Sequence, residues 1–235
     1  MASVLLLGIA KGGFGGVGTP IALPIMALGI PTELALGALL PLLIAMDIVS
    51  VGSHHGNADK KAVLYALPAS LVGVVLGASL IAIISADVTG FVIGVLSIIF
   101  AFIALSGYTP QIAAWPTWTG SIFGACSGFT STIAHAGGPP IHIYYLSRGY
   151  DHRQFVATSA MFMAGVNLLK VVPFLVVGAL DRSALLLSLY LAPLALGAAY
   201  LGVLLSRRIS RTIFKFAVNG LLLLVGCKLI FDAVT

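Results

Sequence analysis

Long apolar runs alternate with short polar or glycine-rich segments along this chain. Runs of about 18 residues or more fall at roughly 34–53, 62–85, 88–106, 154–178, 184–206 and 213–231. A hydrocarbon layer of about 30 Å requires about 20 helical residues, so these runs predict membrane-spanning helices. Shorter runs at roughly 3–10, 20–30, 119–127 and 139–147 cover about half that distance and predict half-helices.

Two glycine-rich breaks separate the half-helices. The first spans Lys11–Pro20 (KGGFGGVGTP), and the second spans Ser127–Pro140 (SGFTSTIAHAGGPP). Glycine is entropically costly in a helix and proline lacks a donor N–H, so neither segment fits an uninterrupted helix. Broken backbone is tolerated in a membrane only where protein or a watery cavity satisfies it. Two breaks at corresponding positions therefore predict a transport site near the bilayer midplane.

The breaks belong to a repeat of about 120 residues, which divides the chain into 1–106, a linker at 107–118, and 119–235. Each half is predicted to hold a broken or re-entrant helix pair plus three spanning helices, and the two halves form one transport domain. In this alignment the second break is a few residues longer. Matched positions include Gly8 with Gly124, Pro20 with Pro140, Asp47 with Asn167, Asp59 with Asp181 and Gly73 with Gly197.

Composition agrees with a membrane location. The chain is 60% hydrophobic and only 8% charged, whereas a soluble domain is about 25% charged. This excludes an ordinary water-soluble fold and predicts an all-α polytopic membrane protein. The sequence shows no basic face of the kind that binds nucleic acids. Cys126 and Cys227 lie in or beside apolar segments and indicate neither a disulfide framework nor a metal site, and no cofactor is expected.

The distribution of basic residues favours inverted-topology repeats. If each break turns the chain around within the membrane, eight basic residues lie on one side of the membrane and two on the other. If each broken segment instead crosses the membrane once, the division is six to four. Positive residues prefer the cytoplasm, so the first arrangement is predicted, with both termini outside it.

The breaks also predict an anion site. Thr19-Pro20 and Gly138-Pro139 have the composition of helix starts, whose free N–H groups and positive dipole ends attract anions. The hydroxyls of Ser127, Thr130, Ser131 and Thr132 are candidate donors. Close approach of a ligand is expected at Gly12, Gly13, Gly15, Gly16, Gly18, Gly137 and Gly138.

Two lysines lie in apolar surroundings: Lys11 in the first break, and Lys170 deep within the run 154–178. An intramembrane ionisable residue is a functional candidate. The alternatives are that Lys11 extends to an interface and that Lys170 forms a structural pair with Asp47. Asn167 matches Asp47 in the repeat and shares a helix face with Lys170, so it is also a candidate.

Asp47 and His135 are the candidates for coupling transport to an ion. A histidine in the second break can carry protons or donate to an anion; the alternative, a hydrogen-bonded packing histidine, is favoured for His142. Four further glycines indicate close helix packing rather than ligand contact: Gly73, Gly77, Gly197 and Gly202.

The glycine-rich breaks with their prolines, the run Asn167-Leu-Leu-Lys170 and the doubled unit together resemble the TauE/SafE sulfite/sulfonate exporter family. Lys11 and Phe14 depart from its more usual run of glycines, and the second break adds His135. The resemblance implies a permease of the bacterial inner membrane, and termini outside the cytoplasm, as the basic residues predict, would then be periplasmic. It implies export of a small anion such as sulfite or an organosulfonate, and covers nearly the whole chain.

Other functions are open at this point. A proton- or sodium-coupled permease would use Asp47, and an intramembrane enzyme would combine Ser131 or Thr132 with His135. Direct use of ATP is not indicated, because no phosphate-binding loop of the GxxxxGK[ST] type is present. The expected partners are a small anion and the lipid bilayer, with a homodimer as one option for the oligomeric state.

Overall fold

Helices make up the regular structure of this chain. The computed structural model describes residues 1–16, 19–54, 56–106, 116, 118–205 and 211–234. The first half contains α1 (Ala2–Phe14), a 3₁₀ turn (Thr19–Ile21), α2 (Ala22–Ala27), α3 (Thr32–His54), α4 (Lys60–Ile81) and α5 (Ala86–Leu105). The second half contains α6 (Thr119–Ala134), α7 (Gly138–Ser147), α8 (His152–Val176), α9 (Arg182–Leu205) and α10 (Arg211–Val234).

The predicted fold class is confirmed within these residues. Helices α3, α4, α8 and α9 are long and apolar enough to cross a membrane, while α1, α2, α6 and α7 are shorter, as expected for half-helices. The opposite orientation of the two halves stays a prediction. The predicted linker at 107–118 lies mostly outside the described residues.

Both breaks are shorter than the glycine-rich segments suggested. Helix α1 continues to Phe14 and ends at Gly15, which has a φ of 64°. Helix α6 continues to Ala134 and ends at His135, with a φ of 50°. These left-handed residues end the helices, as is common at helix C-termini. Many of the predicted break residues are therefore in the last turns of α1 and α6.

The halves pack on each other in a reciprocal pattern. Helix α1 packs mainly on α9, and its counterpart α6 packs mainly on α4. Helix α3 contacts α8, and α5 contacts α10. These pairings relate α1 to α6, α4 to α9, α3 to α8 and α5 to α10 as counterparts.

Three pairs of corresponding residues, in or packed near the breaks, share one spacing. Asp47 and Asn167 are 120 residues apart, as are the terminating residues Gly15 and His135. Pro20 and Pro140 share that spacing in the sequence. The alignment of Gly8 with Gly124 and the longer second break stay predictions.

Glycine allows backbone contact where α4 crosses α6. A β-carbon at Gly73 would lie 1.9 Å from the Ala125 carbonyl oxygen, and one at Gly77 would lie 2.9 Å from the Thr132 β-carbon. On α9, Gly202 contacts the Ile9 backbone in the same way, whereas Gly197 has nothing within 4 Å. The packing role is confirmed at the first three positions and is wrong at Gly197, whose helix face meets none of the described residues.

The Gly73→Ala variant is expected to be less stable than the wild type by about 1–3 kcal/mol, because the added methyl group overpacks the α4–α6 contact. Gly197→Ala is the matched control. It adds the same group to open space, and removing a helical glycine should stabilise by up to about 1 kcal/mol. Unfolding by dodecyl sulfate in mixed micelles, followed by circular dichroism, compares the two. Equal stability of both variants would contradict the close contact.

Asp59 links the loop before α4 to the second half. Its side chain caps α4 at the Ala62 N–H (3.0 Å) and accepts from the Tyr150 hydroxyl (2.6 Å). Its backbone N–H donates to Thr158 Oγ1, and Arg148 lies 3.9 Å from its carboxylate. Partial burial alone would raise the pKa of Asp59, but these donors outweigh it and lower the pKa. The carboxylate therefore stays charged at neutral pH and holds the two halves together at this end.

Candidate functional site

A buried ion pair connects the first break to α3. Lys11 Nζ donates to Asp47 Oδ1, and both residues are at least 95% buried. The other carboxylate oxygen, Asp47 Oδ2, accepts from Asn167 Nδ2 of α8 at 2.6 Å. Asp47 and Asn167, which the repeat matched, are thus in direct contact. Lys11 does not extend to an interface, because its partner is a buried carboxylate.

Lys170 has a different set of partners. Its fully buried ammonium donates to the Ser131 carbonyl (3.1 Å), to Ser131 Oγ (3.0 Å) and to His135 Nδ1 (2.9 Å). It also lies 5.8 Å from the centre of the Phe174 ring. The structural pair of Lys170 with Asp47 is therefore wrong: Lys11 and Asn167 already occupy both carboxylate oxygens.

His135 is held in one neutral form by its two neighbours. Nε2 lies 2.8 Å from the Leu36 carbonyl oxygen, which only accepts, so Nε2 must carry the proton. Nδ1 is then the acceptor for Lys170. Both ring nitrogens are occupied, which makes His135 a connecting residue between α3, α6 and α8.

Positions 11 and 50 of the first half correspond to positions 131 and 170 of the second half, and their side chains form related but unequal contacts. Ser50 Oγ donates to the Lys11 carbonyl (3.0 Å), and at the corresponding positions Lys170 Nζ donates to the Ser131 carbonyl. The first half therefore carries its lysine on the broken helix α1, while the second half carries its lysine on the spanning helix α8. Among the described residues, this cluster contains two buried lysines and one buried carboxylate, an excess of one positive charge when all three are ionised.

A small cavity, with room for about one water molecule, lies where the two breaks meet. The breaks are adjacent: His142 Nε2 donates to the Gly15 carbonyl at 3.0 Å, and a β-carbon at Gly138 would lie 3.5 Å from the Gly16 oxygen. The hydrogen bond of His142 confirms its packing role. The cavity is lined by Lys11, Gly15, Gly16, Thr19, Asp47, Ser50, Gly138, Ser159, Ala160 and Met163.

Three of the predicted hydroxyl donors are instead used within the second half. Ser127 Oγ donates to the Gly137 carbonyl (2.5 Å), and Thr130 Oγ1 lies 3.0 Å from the Ala136 carbonyl oxygen. Thr132 Oγ1 donates to the Gly128 carbonyl at 2.8 Å. Ser127 and Thr130 thereby close the break after α6. These side chains satisfy the backbone, which a membrane interior requires, and do not line the cavity.

The predicted helix starts offer fewer donors than expected. Helix α7 begins at Gly138, which confirms the second start. However, Pro139 and Pro140 remove two of its first free N–H groups. Thr19-Pro20 begins a 3₁₀ turn, and α2 beyond it has only six residues. Backbone N–H groups alone therefore provide a weak anion site here.

The glycines of the breaks have several roles. Gly15, Gly16 and Gly138 line the cavity as predicted. Gly12 lies against α9, where a β-carbon would be 1.9 Å from the Ala199 carbonyl oxygen, and Gly137 lies against Ser131. Close packing, and not ligand contact, therefore explains the glycines at positions 12 and 137. Gly13 is buried within α1, and Gly18 lies outside the described residues.

Sequence reasoning missed Ser159 and Met163, which line the cavity from α8. A helical period carries the signal: Ser159, Met163, Asn167 and Lys170 are separated by four, four and three residues, so they share one face. Tracing this face toward the start of α8 from the two predicted residues would have found the others.

A family model described as "Sulfite exporter TauE/SafE" matches residues 1–229. The chain belongs to this family. No curated protein and no solved structure gives a significant match. TauE/SafE proteins are membrane exporters of sulfite and related anions, and they are transporters rather than enzymes. This membership confirms the resemblance inferred from the breaks, and a small anionic substrate agrees with the positive excess of the buried cluster.

Proposed function

We propose that this protein exports a small anion, such as sulfite or a short organosulfonate, across the bacterial inner membrane. Both termini are proposed to lie in the periplasm. The substrate occupies the cavity where the two breaks meet, next to Lys11 and Asp47. Membership in the exporter family supports the transport of an anion, and the site residues are our assignment.

The observation that carries this proposal is the unequal number of buried charges. Asp47 neutralises one lysine, and among the described residues the other lysine contacts Ser131, His135 and the Phe174 ring, none of which is acidic. An uncompensated charge is costly at membrane depth. An anion that enters the cavity would lower this cost, because it restores neutrality to the cluster.

Recognition is assigned to side chains instead of helix N-termini. Lys11 lines the cavity. Lys170 does not line it but is hydrogen-bonded to Ser131, so it attracts the anion through its charge rather than by direct contact. The membrane potential favours the outward direction, since an anion leaving a negative interior gains about 2.3 kcal/mol per charge per 100 mV.

Sulfite efflux from proteoliposomes tests this function. Purified protein is reconstituted, the vesicles are loaded with sulfite, and release is followed under an imposed inside-negative potential. We expect release to be several-fold faster than from protein-free vesicles and to increase with the potential. A panel with sulfate, methanesulfonate and a neutral solute defines the substrate. Rates equal to those of protein-free vesicles for every anion would contradict the proposal.

A proton-linked version of this transport is favoured by one contact. The Asp47 carboxylate is already paired with the Lys11 ammonium, so a substrate anion that binds this ammonium must compete with Asp47. Protonation of Asp47 would release Lys11 for the substrate. Proton coupling predicts that a pH gradient alone drives sulfite flux in the wild type, and that Asp47→Asn abolishes this response. Sodium coupling would instead make the flux follow a sodium gradient.

A further inference from the structure

Two hydroxyl groups at the cavity have no hydrogen-bond partner among the described residues. They are Thr19 Oγ1, from the turn that follows the first break, and Ser159 Oγ, from α8. Thr19 is 2% exposed and Ser159 is fully buried. Both residues line the same cavity as Lys11.

Their unpaired state is unusual for buried groups. Buried polar atoms are nearly always hydrogen-bonded, because an unpaired one loses its contacts with water and gains nothing in return. The nearby hydroxyls follow this rule: Ser50 donates to the Lys11 carbonyl, and Ser127 donates to the Gly137 carbonyl. Two unpaired hydroxyls at one cavity are available to a polar ligand that enters it.

The two groups complement the charges at the cavity. Lys11 is already paired with Asp47, so charge alone provides little direction for a ligand. A hydroxyl donates along a defined direction and therefore recognises where an acceptor atom lies. Because Thr19 and Ser159 come from different halves of the chain, one ligand with two or more oxygen atoms can accept from both. The cavity has room for about one water molecule, so binding of a sulfite-sized anion requires its walls to move apart, and a compact ligand requires the least movement.

We infer that Thr19 and Ser159 bind the oxygen atoms of the substrate and make the site specific for small oxyanions of the sulfite type. This inference rests on the proposed function, because it assigns recognition within the same site. It adds two specificity-determining residues whose donors become satisfied only when the anion is bound.

Replacement of each hydroxyl tests this assignment in the proteoliposome assay. Thr19→Val and Ser159→Ala are each expected to raise the half-saturating sulfite concentration about tenfold, the size of one lost hydrogen bond to a charged ligand. Their thermal stability should be equal to that of the wild type or higher, because each removed hydroxyl was unpaired.

The matched controls are Thr89→Val and Ser188→Ala. Both hydroxyls are buried but already donate to carbonyls, of Ser85 at 2.9 Å and Ala184 at 2.7 Å respectively. These variants should keep the wild-type half-saturating concentration and lose some thermal stability. The two pairs of variants are therefore expected to change opposite properties.

The outcomes separate this inference from the proposed function. Suppose that the wild type transports sulfite and that Thr19→Val and Ser159→Ala both keep the wild-type half-saturating concentration. The inference is then wrong, and the proposed function stands. An equal rise in the two controls would also overturn the inference. Absence of protein-dependent flux in the wild type would refute the function, and the inference with it.

Discussion

Lys170→Met is expected to lower the rate of sulfite efflux at least tenfold while the protein stays folded. Methionine has a similar length and fits an apolar helix, but it removes the positive excess of the buried cluster. A tenfold loss requires only about 1.4 kcal/mol of lost interaction with the anion, which is small for a charge in a medium of low dielectric constant. Initial efflux rates and thermal unfolding in detergent measure the two properties.

Lys228→Met is the control for this substitution. Lys228 is exposed on α10 and pairs with Asp232 at 2.7 Å, away from the cavity residues. Its loss should change neither efflux nor stability by much, because exposed ion pairs contribute about 0–1 kcal/mol. A folded Lys170→Met protein with wild-type efflux would show that the second lysine is not needed for transport.

Lys11→Met is expected to cause the largest loss of stability in this chain, about 3–5 kcal/mol. The substitution leaves the Asp47 carboxylate buried with Asn167 as its one remaining partner in the described structure. The double variant Lys11→Met/Asp47→Asn removes both charges and should recover much of the loss. Unfolding in mixed micelles provides the comparison.

The double variant is the decisive measurement for this pair. If Lys11 and Asp47 stabilise each other, the losses of stability in the single variants Lys11→Met and Asp47→Asn will not add. The double variant will then be more stable than Lys11→Met alone. Additive losses would mean that the two side chains act independently. Sulfite efflux should be lost in both variants, since each lacks the ammonium at the cavity.

Periodicity and composition were sufficient to predict the general architecture. Four of the six long apolar runs located helices long and apolar enough to span, because a bilayer imposes their length. Gly138-Pro139 located the start of α7 because proline suits the first turn. The repeat also matched Asp47 with Asn167, and these two residues are hydrogen-bonded in the structure. These features depend on local sequence or on a relationship that spacing alone reveals.

Hydrogen-bond partners were harder to predict because they depend on tertiary structure. Ser127 and Thr130 have the chemistry of ligand donors, yet the backbone that follows α6 uses their protons. Lys170 was the lysine considered as a structural partner of Asp47, yet the packed helices place Lys11 there. Likewise, Gly73 and Gly197 look equivalent in the sequence, but only Gly73 faces a neighbouring helix at close range.

The unequal placement of the lysines affects the energetics of any conformational cycle. In a protein built from two identical halves, exchanging their conformations would give two states of equal free energy. Here the lysine belongs to the broken helix in one half and to the spanning helix in the other. With the predicted opposite orientation of the halves, this difference makes the two states unequal in free energy, and we expect the resting equilibrium to favour one of them. Restoring equivalence at positions 11, 50, 131 and 170 would bring the two populations closer together.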